Sequence, residues 1–214
     1  MTLGKITAIH GDCMDYMKAL PNKAFDLAIV DPPYGIKASK MTMGTGQKAW
    51  KKTNWDTSIP NQEYFEELFR VSKNQIIWGG NYFTGSLPAS RCWLSWNKGV
   101  PEGMSFADFE LAWTSFDKVS REVKCKYAGA VQNGSYVKKI HPTQKPSELY
   151  KWILQNYAKP GYKILDTHGG SFSHAIACHD LGFDLTIIEK DEVYFNAAVD
   201  RLKWHQRQQT LVFD

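Results

Sequence analysis

What this sequence lacks narrows it first. Only four of its 214 residues are cysteine (Cys13, Cys92, Cys125 and Cys178), and none forms a CxxC pair. That argues against a zinc ribbon and a dense disulfide framework and suits reduced thiols. No apolar run approaches the roughly 18 residues a membrane span needs. The opening MTLGKITAIHGD has no signal-peptide stretch, so a cytoplasmic protein is expected. There is no GxGxxG, no internal repeat and no low-complexity tract. Charge of one sign is scarce as well: 26 Lys and Arg against 22 Asp and Glu leave +4. Such a balance is too small to announce a nucleic-acid partner by itself. With 43% hydrophobic and 22% charged residues, the chain is globular and of one-domain length. Aromatics are what it has in plenty: 8 Trp, 10 Tyr and 11 Phe.

The bases are clustered. From Gly35 to Pro60 stand Lys37, Lys40, Lys48, Lys51 and Lys52 against one acid, Asp56. From Lys118 to Lys145 stand Lys118, Arg121, Lys124, Lys126, Lys138, Lys139 and Lys145 against Glu122. Neither stretch has helical or strand periodicity, so both read as loops. Clustered bases on loops suit a phosphate backbone, and an ordinary solvated surface is the competing reading.

Periodicity outlines the rest. Leu3–His10, Phe25–Val30, Gln75–Trp78, Trp93–Trp96, Phe109–Phe116, Tyr162–Leu165 and Phe183–Ile188 read as strands. Helices are expected over Asp15–Leu20, Asn61–Ser72, Pro146–Ala158, Ser173–Leu181 and Asp191–His205. Strands alternating with helices predict an α/β fold built on an open, mostly parallel sheet. Trp93, Trp96 and Trp113 read as core residues of a strand face.

Two segments carry chemistry. In AIVDPPYG, Ala28 to Gly35, a buried strand ends in Asp31-Pro32-Pro33-Tyr34. Two fixed φ angles and two missing N–H groups make a rigid corner. It displays a carboxylate, backbone oxygens and an aromatic face. Those acceptors suit an exocyclic amino group, and the ring suits the base that bears it. A strand-ending turn with a capping Asp remains the plain alternative. In the second segment, Tyr162 to Phe195, a strand ends at Asp166 before Gly169-Gly170. A helix N-terminus is expected at Ser171 or Ser173. The next strand ends in Glu189, an acid placed about 20 residues on to hold ribose hydroxyls. That half reads as an adenosine-containing cofactor site. His141-Pro-Thr-Gln-Lys-Pro146 supports it, since His141 and Lys145 can reach a cofactor carboxylate. The grouping of His168, His174, Cys178 and His179 is not expected to bind metal. Gly79-Gly80-Asn81-Tyr82 reads equally as a base-pocket wall or a turn.

Together these segments resemble the S-adenosylmethionine-dependent DNA amino-methyltransferases, which carry (D/N/S)PP(Y/F/W) and a D-x-x-x-G-S-type cofactor motif. The order, DPPY first, then HPTQKP, then LDTHGGS, resembles the circularly permuted β-class arrangement of bacterial and phage adenine methyltransferases. The resemblance implies a Rossmann-like methyltransferase fold with helices on both faces of the sheet. It implies that Asp31 and the Pro32 carbonyl accept from the target amino group, within a motif completed by Pro33. Tyr34 would stack on a flipped-out base. Asp166, Thr167, His168, Gly170 and Ser171 would line the methionine part of the cofactor. Glu189 would hold its ribose, Asp12 and Cys13 would meet its adenine, and His141 and Lys145 its carboxylate. The aspartate of DPPY implies adenine N6 in DNA as target. Cytosine N4, an RNA adenine, a catalytically silent relative and a nucleotide-dependent oxidoreductase are the alternatives. Where the family often has glycine, this chain has Phe172. Target recognition would fall in a small insertion, residues 97–140, of a single domain, and a second subunit would help cover a site. The lysines expected on DNA are Lys37, Lys40, Lys48, Lys51, Lys52, Lys124, Lys126, Lys138 and Lys139. A restriction-modification setting is the implied context.

Overall fold

The computed structural model describes residues 1–36, 56–100, 107–125, 127–128, 131–132, 135–136 and 139–209. In chain order its elements begin with β1 (Thr2–Leu3), β2 (Ile6–His10), α1 (Cys13–Lys18), β3 (Phe25–Val30), α2 (Gln62–Val71) and β4 (Ser72–Trp78). There follow β5 (Trp93–Asn97), β6 (Phe109–Thr114), β7 (Arg121–Lys124), β8 (Tyr127–Ala128), β9 (Val131–Gln132) and β10 (Ser135–Tyr136). The last are α3 (Ser147–Tyr157), β11 (Lys163–Asp166), α4 (Ser173–Leu181), β12 (Asp184–Glu189) and α5 (Glu192–Gln209).

Nine strands form one sheet in the order β1-β2-β12-β11-β3-β4-β6-β5-β7. The five from β2 to β4 run parallel, as the near-continuous apolar sequences of β3 and β12 predict. β6 is antiparallel to both β4 and β5. Alternation along each strand sends side chains to two layers. Leu27, Ile29, Ile76, Trp78, Ile164 and Ile187 pack with α3, α4 and α5. Ala28, Val30, Ile77, Leu165 and Ile188 pack with Met17 of α1 and with Tyr64, Phe65 and Leu68 of α2. The expected α/β architecture, mostly parallel with helices on both faces, is the observed one.

Parallel strands put their carboxyl ends along one edge of the sheet. His10, Glu189, Asp166, Val30 and Trp78 therefore end side by side. From β11 the chain crosses through α4 to β12, and from β3 through α2 to β4, on the opposite side. The connections diverge between β3 and β11. That is a topological switch point, where open α/β sheets form ligand crevices.

The structure corrects several local expectations. The stretch from Lys118 is not all loop: Arg121–Lys124 pairs parallel with β5 as the outermost strand. Only Val123 of that strand is buried. A charged edge strand of this kind has little apolar pattern to read and discourages further pairing. Trp93 and Trp96 are three residues apart, so they face opposite layers. Trp93 packs in the layer with Trp113, and Trp96 in the other. β4 starts at Ser72, where α2 ends; the Ser72 Oγ donates to the Leu68 carbonyl at 2.6 Å, and no loop intervenes. The N-cap of α4 is Phe172, with neither serine in that role. A three-stranded sheet, β10-β9-β8, stands apart from the main one.

Leu68 is fully buried beneath β3 and β4. Leu68→Ala is expected to cost about 2–5 kcal/mol in chemical denaturation. A loss below about 1 kcal/mol would mean that the α2 layer contributes little to the core.

Candidate active site

β3 runs out at Val30, and the next residue, Asp31, stands at the switch point. Its Oδ1 accepts from the Tyr34 hydroxyl at 2.6 Å, and its Oδ2 accepts from Lys145 Nζ at 2.5 Å. The DPPY turn thus folds back so that its tyrosine meets its own carboxylate. Room for that ring comes from Gly79, at φ +71°, where a Cβ would lie 2.1 Å from Tyr34 Cε1. The ring stacks on Tyr82, with centroids 5.0 Å apart and planes at 15°, and meets Phe83 edge-on. Gly79 and Tyr82 thus pack against the DPPY tyrosine, and residues 79–82 do not border the cavity that joins the two chemical segments.

Lys145 precedes α3 and is 4% exposed at its side chain. Among the described residues its ammonium has three polar neighbours: Asp31, the Tyr34 hydroxyl at 3.2 Å and Glu110 Oε2 at 3.2 Å. The ring of Trp78 lies 5.5 Å from Nζ. Glu110, on β6, also holds Lys98 Nζ at 2.6 Å. Burial disfavours the Lys145 ammonium, but Asp31 and Glu110 outweigh it and hold its pKa above that of an ordinary lysine. Burial pushes the Asp31 carboxyl up, with Lys145 opposing. Burial acts on Glu110 too, yet Lys145 and Lys98 draw it down to about 2. The sequence suggested a cofactor carboxylate for Lys145; here its donors are spent on Asp31, Tyr34 and Glu110.

The glycine loop follows β11. Glu189 Oε2 accepts from the Gly170 N–H at 2.7 Å and Oε1 from the Asp191 N–H at 2.8 Å. Burial raises the Glu189 pKa against those two donors. Gly170 itself sits at φ +51°, its bare Cα toward His141. Asp166 faces inward, taking the His168 N–H at 3.0 Å on Oδ1 and pairing with His174 Nδ1 at 3.0 Å on Oδ2. Phe172 also adopts positive φ, +57°, an unusual conformation for a bulky residue. Its side chain is fully buried, edge-on to Phe195, so the phenyl fills core.

A cavity of about 580 Å³ joins the two segments. Asp31, Pro33 and Lys145 border it at one side, and Gly170, Ser171 and Glu189 at the other. Asp12, Cys13, His141 and His168 also border it. Asp12 caps α1 through the Met14 N–H at 2.8 Å, and burial holds the Cys13 thiol near pKa 12, hence neutral. The sequence puts Asp166 and Thr167 on this wall; both are buried behind it. The reason is that Asp166 bonds inward and the Thr167 hydroxyl lies 2.7 Å from Tyr64 Oη and 2.9 Å from His168 Nδ1. Pro32, which is buried, and Tyr34, which is half-buried, do not border the cavity either. Glu110, Lys98, Tyr64 and Tyr150 belong to the site and escaped the sequence reading; the signal for Glu110 was an acid inside the aromatic strand FELAWT.

Of the lysines expected on DNA, Lys124 is exposed and pairs loosely with Glu122 at 3.5 Å. Lys139 is half-buried, and burial together with Lys98 lowers its pKa to about 8. Lys37, Lys40, Lys48, Lys51, Lys52, Lys126 and Lys138 lie outside the described residues. Among the described residues, no group of three or more His, Cys, Asp or Glu side chains could hold a metal ion, and no helix is long and apolar enough to cross a membrane.

Burial drives the His141 pKa down to about 3, helped by Lys145, and the His168 pKa to about 4, against Asp166 and Asp12. Both rings are neutral in the folded protein at pH 5, whereas an unfolded histidine titrates near about 6.5. Between those values the unfolded chain binds more protons, so these two residues make stability fall as pH drops from about 6.5 toward 4. Histidine NMR should show neither ring titrating between pH 8 and pH 5. Midpoints near about 6.5 would contradict the burial described.

Comparison with known proteins agrees with this geometry. The chain is 22% identical over 248 residues to the type II methyltransferase M.HinfI of Haemophilus influenzae, covering 92% of this chain and 68% of that one. Two solved structures share the fold. One is the M1.HpyAVI–SAM complex, with TM-score 0.60, 21% identity, and 92% of this chain and 100% of that chain covered. The other is the cytosine-N4-specific PvuII DNA methyltransferase, with TM-score 0.61, 10% identity, and 96% and 94% covered. The N6_N4_Mtase family model, described as DNA methylase, matches residues 77–200, more than half of the chain. That span holds Glu110, HPTQKP and the glycine loop and begins after DPPY. The chain therefore belongs to the DNA methylase family.

Proposed function

We propose that this DNA methylase uses S-adenosylmethionine to methylate N6 of an adenine flipped out of duplex DNA. The supporting observation is that Asp31 and Glu189, from strands on either side of β11, border one cavity of about 580 Å³. That volume suits a nucleoside-sized cofactor, since such sites run to about 300–1,000 Å³.

The residues present fit the cofactor. Gly170 and Ser171 offer a backbone wall without bulk, next to neutral His141. Each Glu189 oxygen accepts one backbone N–H and keeps lone-pair capacity for ribose hydroxyls. Asp12 and Cys13 present a carboxylate and a neutral thiol for the adenine end. Thr167 and Asp166 act from behind, fixing His168 and the glycine loop. When bound, the cofactor supplies an electrophilic methyl group on a sulfonium.

Asp31 and the Pro32 carbonyl then accept hydrogen bonds from the target amino group. The nitrogen lone pair forms the new N–C bond, and the C–S bonding pair leaves with sulfur. Asp31 offsets the positive charge on the nitrogen and takes the proton it releases. Preorganised acceptors of this kind do most of their work electrostatically. The Asp31 oxygen now bonded to Tyr34 is the one to be exchanged, which frees the tyrosine ring to stack on the base. A base must leave the duplex for any such contact. Aspartate in the motif supports adenine over cytosine. The lysines at 37, 40, 48, 51, 52, 124, 126, 138 and 139 are assigned to phosphates, with base reading within residues 97–140.

Incubation with methyl-labelled S-adenosylmethionine and mixed-sequence DNA should place label in N6-methyladenine. Asp31→Ala should lower the rate by at least about 100-fold while cofactor affinity stays within a few-fold. Label only in N4-methylcytosine would overturn the base assignment. An Asp31→Ala protein as active as the parent would overturn the mechanism.

A further inference from the structure

Glu110 lies on β6, two strands from β3 in sheet order, and belongs to neither chemical motif. It nevertheless completes a row of alternating charges. Lys98 Nζ meets its Oε1 at 2.6 Å, its Oε2 meets Lys145 Nζ at 3.2 Å, and Lys145 meets Asp31 Oδ2 at 2.5 Å. The side-chain exposures are 18%, 24%, 4% and 18% in the order Lys98, Glu110, Lys145, Asp31, so the row is largely removed from water. Two positive and two negative charges leave it neutral.

A lysine has a flexible four-carbon stem and a compact charge, so one partner does not fix its direction. Lys145 has two carboxylates at an angle, one from the DPPY turn and one from the sheet, over the rings of Trp78 and Tyr34. Without Glu110 the ammonium would be held only through the loop that must rearrange when a base enters.

We infer that Glu110, itself anchored by Lys98, is a positioning residue for methyl transfer: it holds Lys145 against Asp31 while Tyr34 gives up its own bond to that carboxylate. The inference rests on the functional reading of Asp31 given above. Lys145 stays in place as the base arrives, so Asp31 remains ionised, with one oxygen committed and the other aimed at the amino group.

Among the described residues, the groups facing Lys145 are few. Asp31 and Tyr34 come from the DPPY turn, Glu110 from β6, Trp78 from the end of β4, Tyr150 from α3 and His141 from its own segment. Lys98 and then Lys139 stand beyond Glu110. Removing the Glu110 charge leaves Asp31 as the only carboxylate among them.

The test is a kinetic cycle on the full-length protein with DNA and labelled cofactor. Glu110→Gln should lower kcat about 10- to 100-fold, the loss expected for one charge-assisted hydrogen bond. The KM for cofactor should move less than twofold, and the alkaline limb of the pH profile should shift to lower pH. In a Lys145→Met background, Glu110→Gln should cost less than about twofold more, because neighbours acting through one group are not additive. Lys98→Met alone, with Glu110 intact, should reproduce the effect more weakly, which covers the case of a poorly folding Glu110 variant; full activity of a folded Lys98→Met protein would count against the anchoring by Lys98. Full activity of Glu110→Gln, or an undiminished penalty in the Lys145→Met background, would overturn this role while leaving the methyltransferase reading intact. A folded parent that binds cofactor but methylates no DNA would overturn both.

Discussion

An ion pair taken largely out of water governs this site. Asp31 and Lys145 meet at 2.5 Å on one side of the switch-point crevice. Desolvating two charges is unfavourable unless geometry and further partners compensate, and stranding one of them typically costs about 3–5 kcal/mol. The compensation is visible: a tyrosine hydroxyl on the free side of Asp31, a second carboxylate on Lys145 and a second lysine on that carboxylate. The pair joins the DPPY turn to the segment before α3, which are 114 positions apart in sequence. Its geometry therefore depends on the whole sheet.

The sheet meets that demand through direction. Five parallel strands deliver the DPPY turn, the glycine loop and Glu189 to one edge. Where the sheet turns antiparallel, at β6, it contributes Glu110, so the part of the fold that departs from a plain parallel sheet is also part of the site. The side that carries Glu189 is built differently. Glu189 is held by backbone N–H groups of Gly170 and Asp191, and His141 and His168 are kept neutral by burial. One side of the cavity is built on paired charge, the other on a carboxylate held by backbone donors beside neutral histidines.

Much of this was legible in the sequence because it is local. Apolar runs such as FDLAIV announce a doubly covered strand, and DPPY and THGGS mark turns whose chemistry is written in consecutive residues. What was not legible depends on three-dimensional pairing. Nothing near Lys145 in sequence says that its partner is Asp31, and Glu110 is one acid on an aromatic strand. Nothing in the sequence says where the ring of Phe172 goes; the structure gives that residue a positive φ and a fully buried side chain. The edge strand at Arg121–Lys124 was hidden because only Val123 is buried there, which leaves no alternation to see.

The most direct measurement follows the ε-CH2 NMR signal of Lys145 with pH, identified by its loss in a Lys145→Arg protein. Held by Asp31 and Glu110, Lys145 should stay protonated beyond the ordinary lysine midpoint of about 10.4. A midpoint well below that value would contradict the account, because a lysine buried without its carboxylates gives up its proton early.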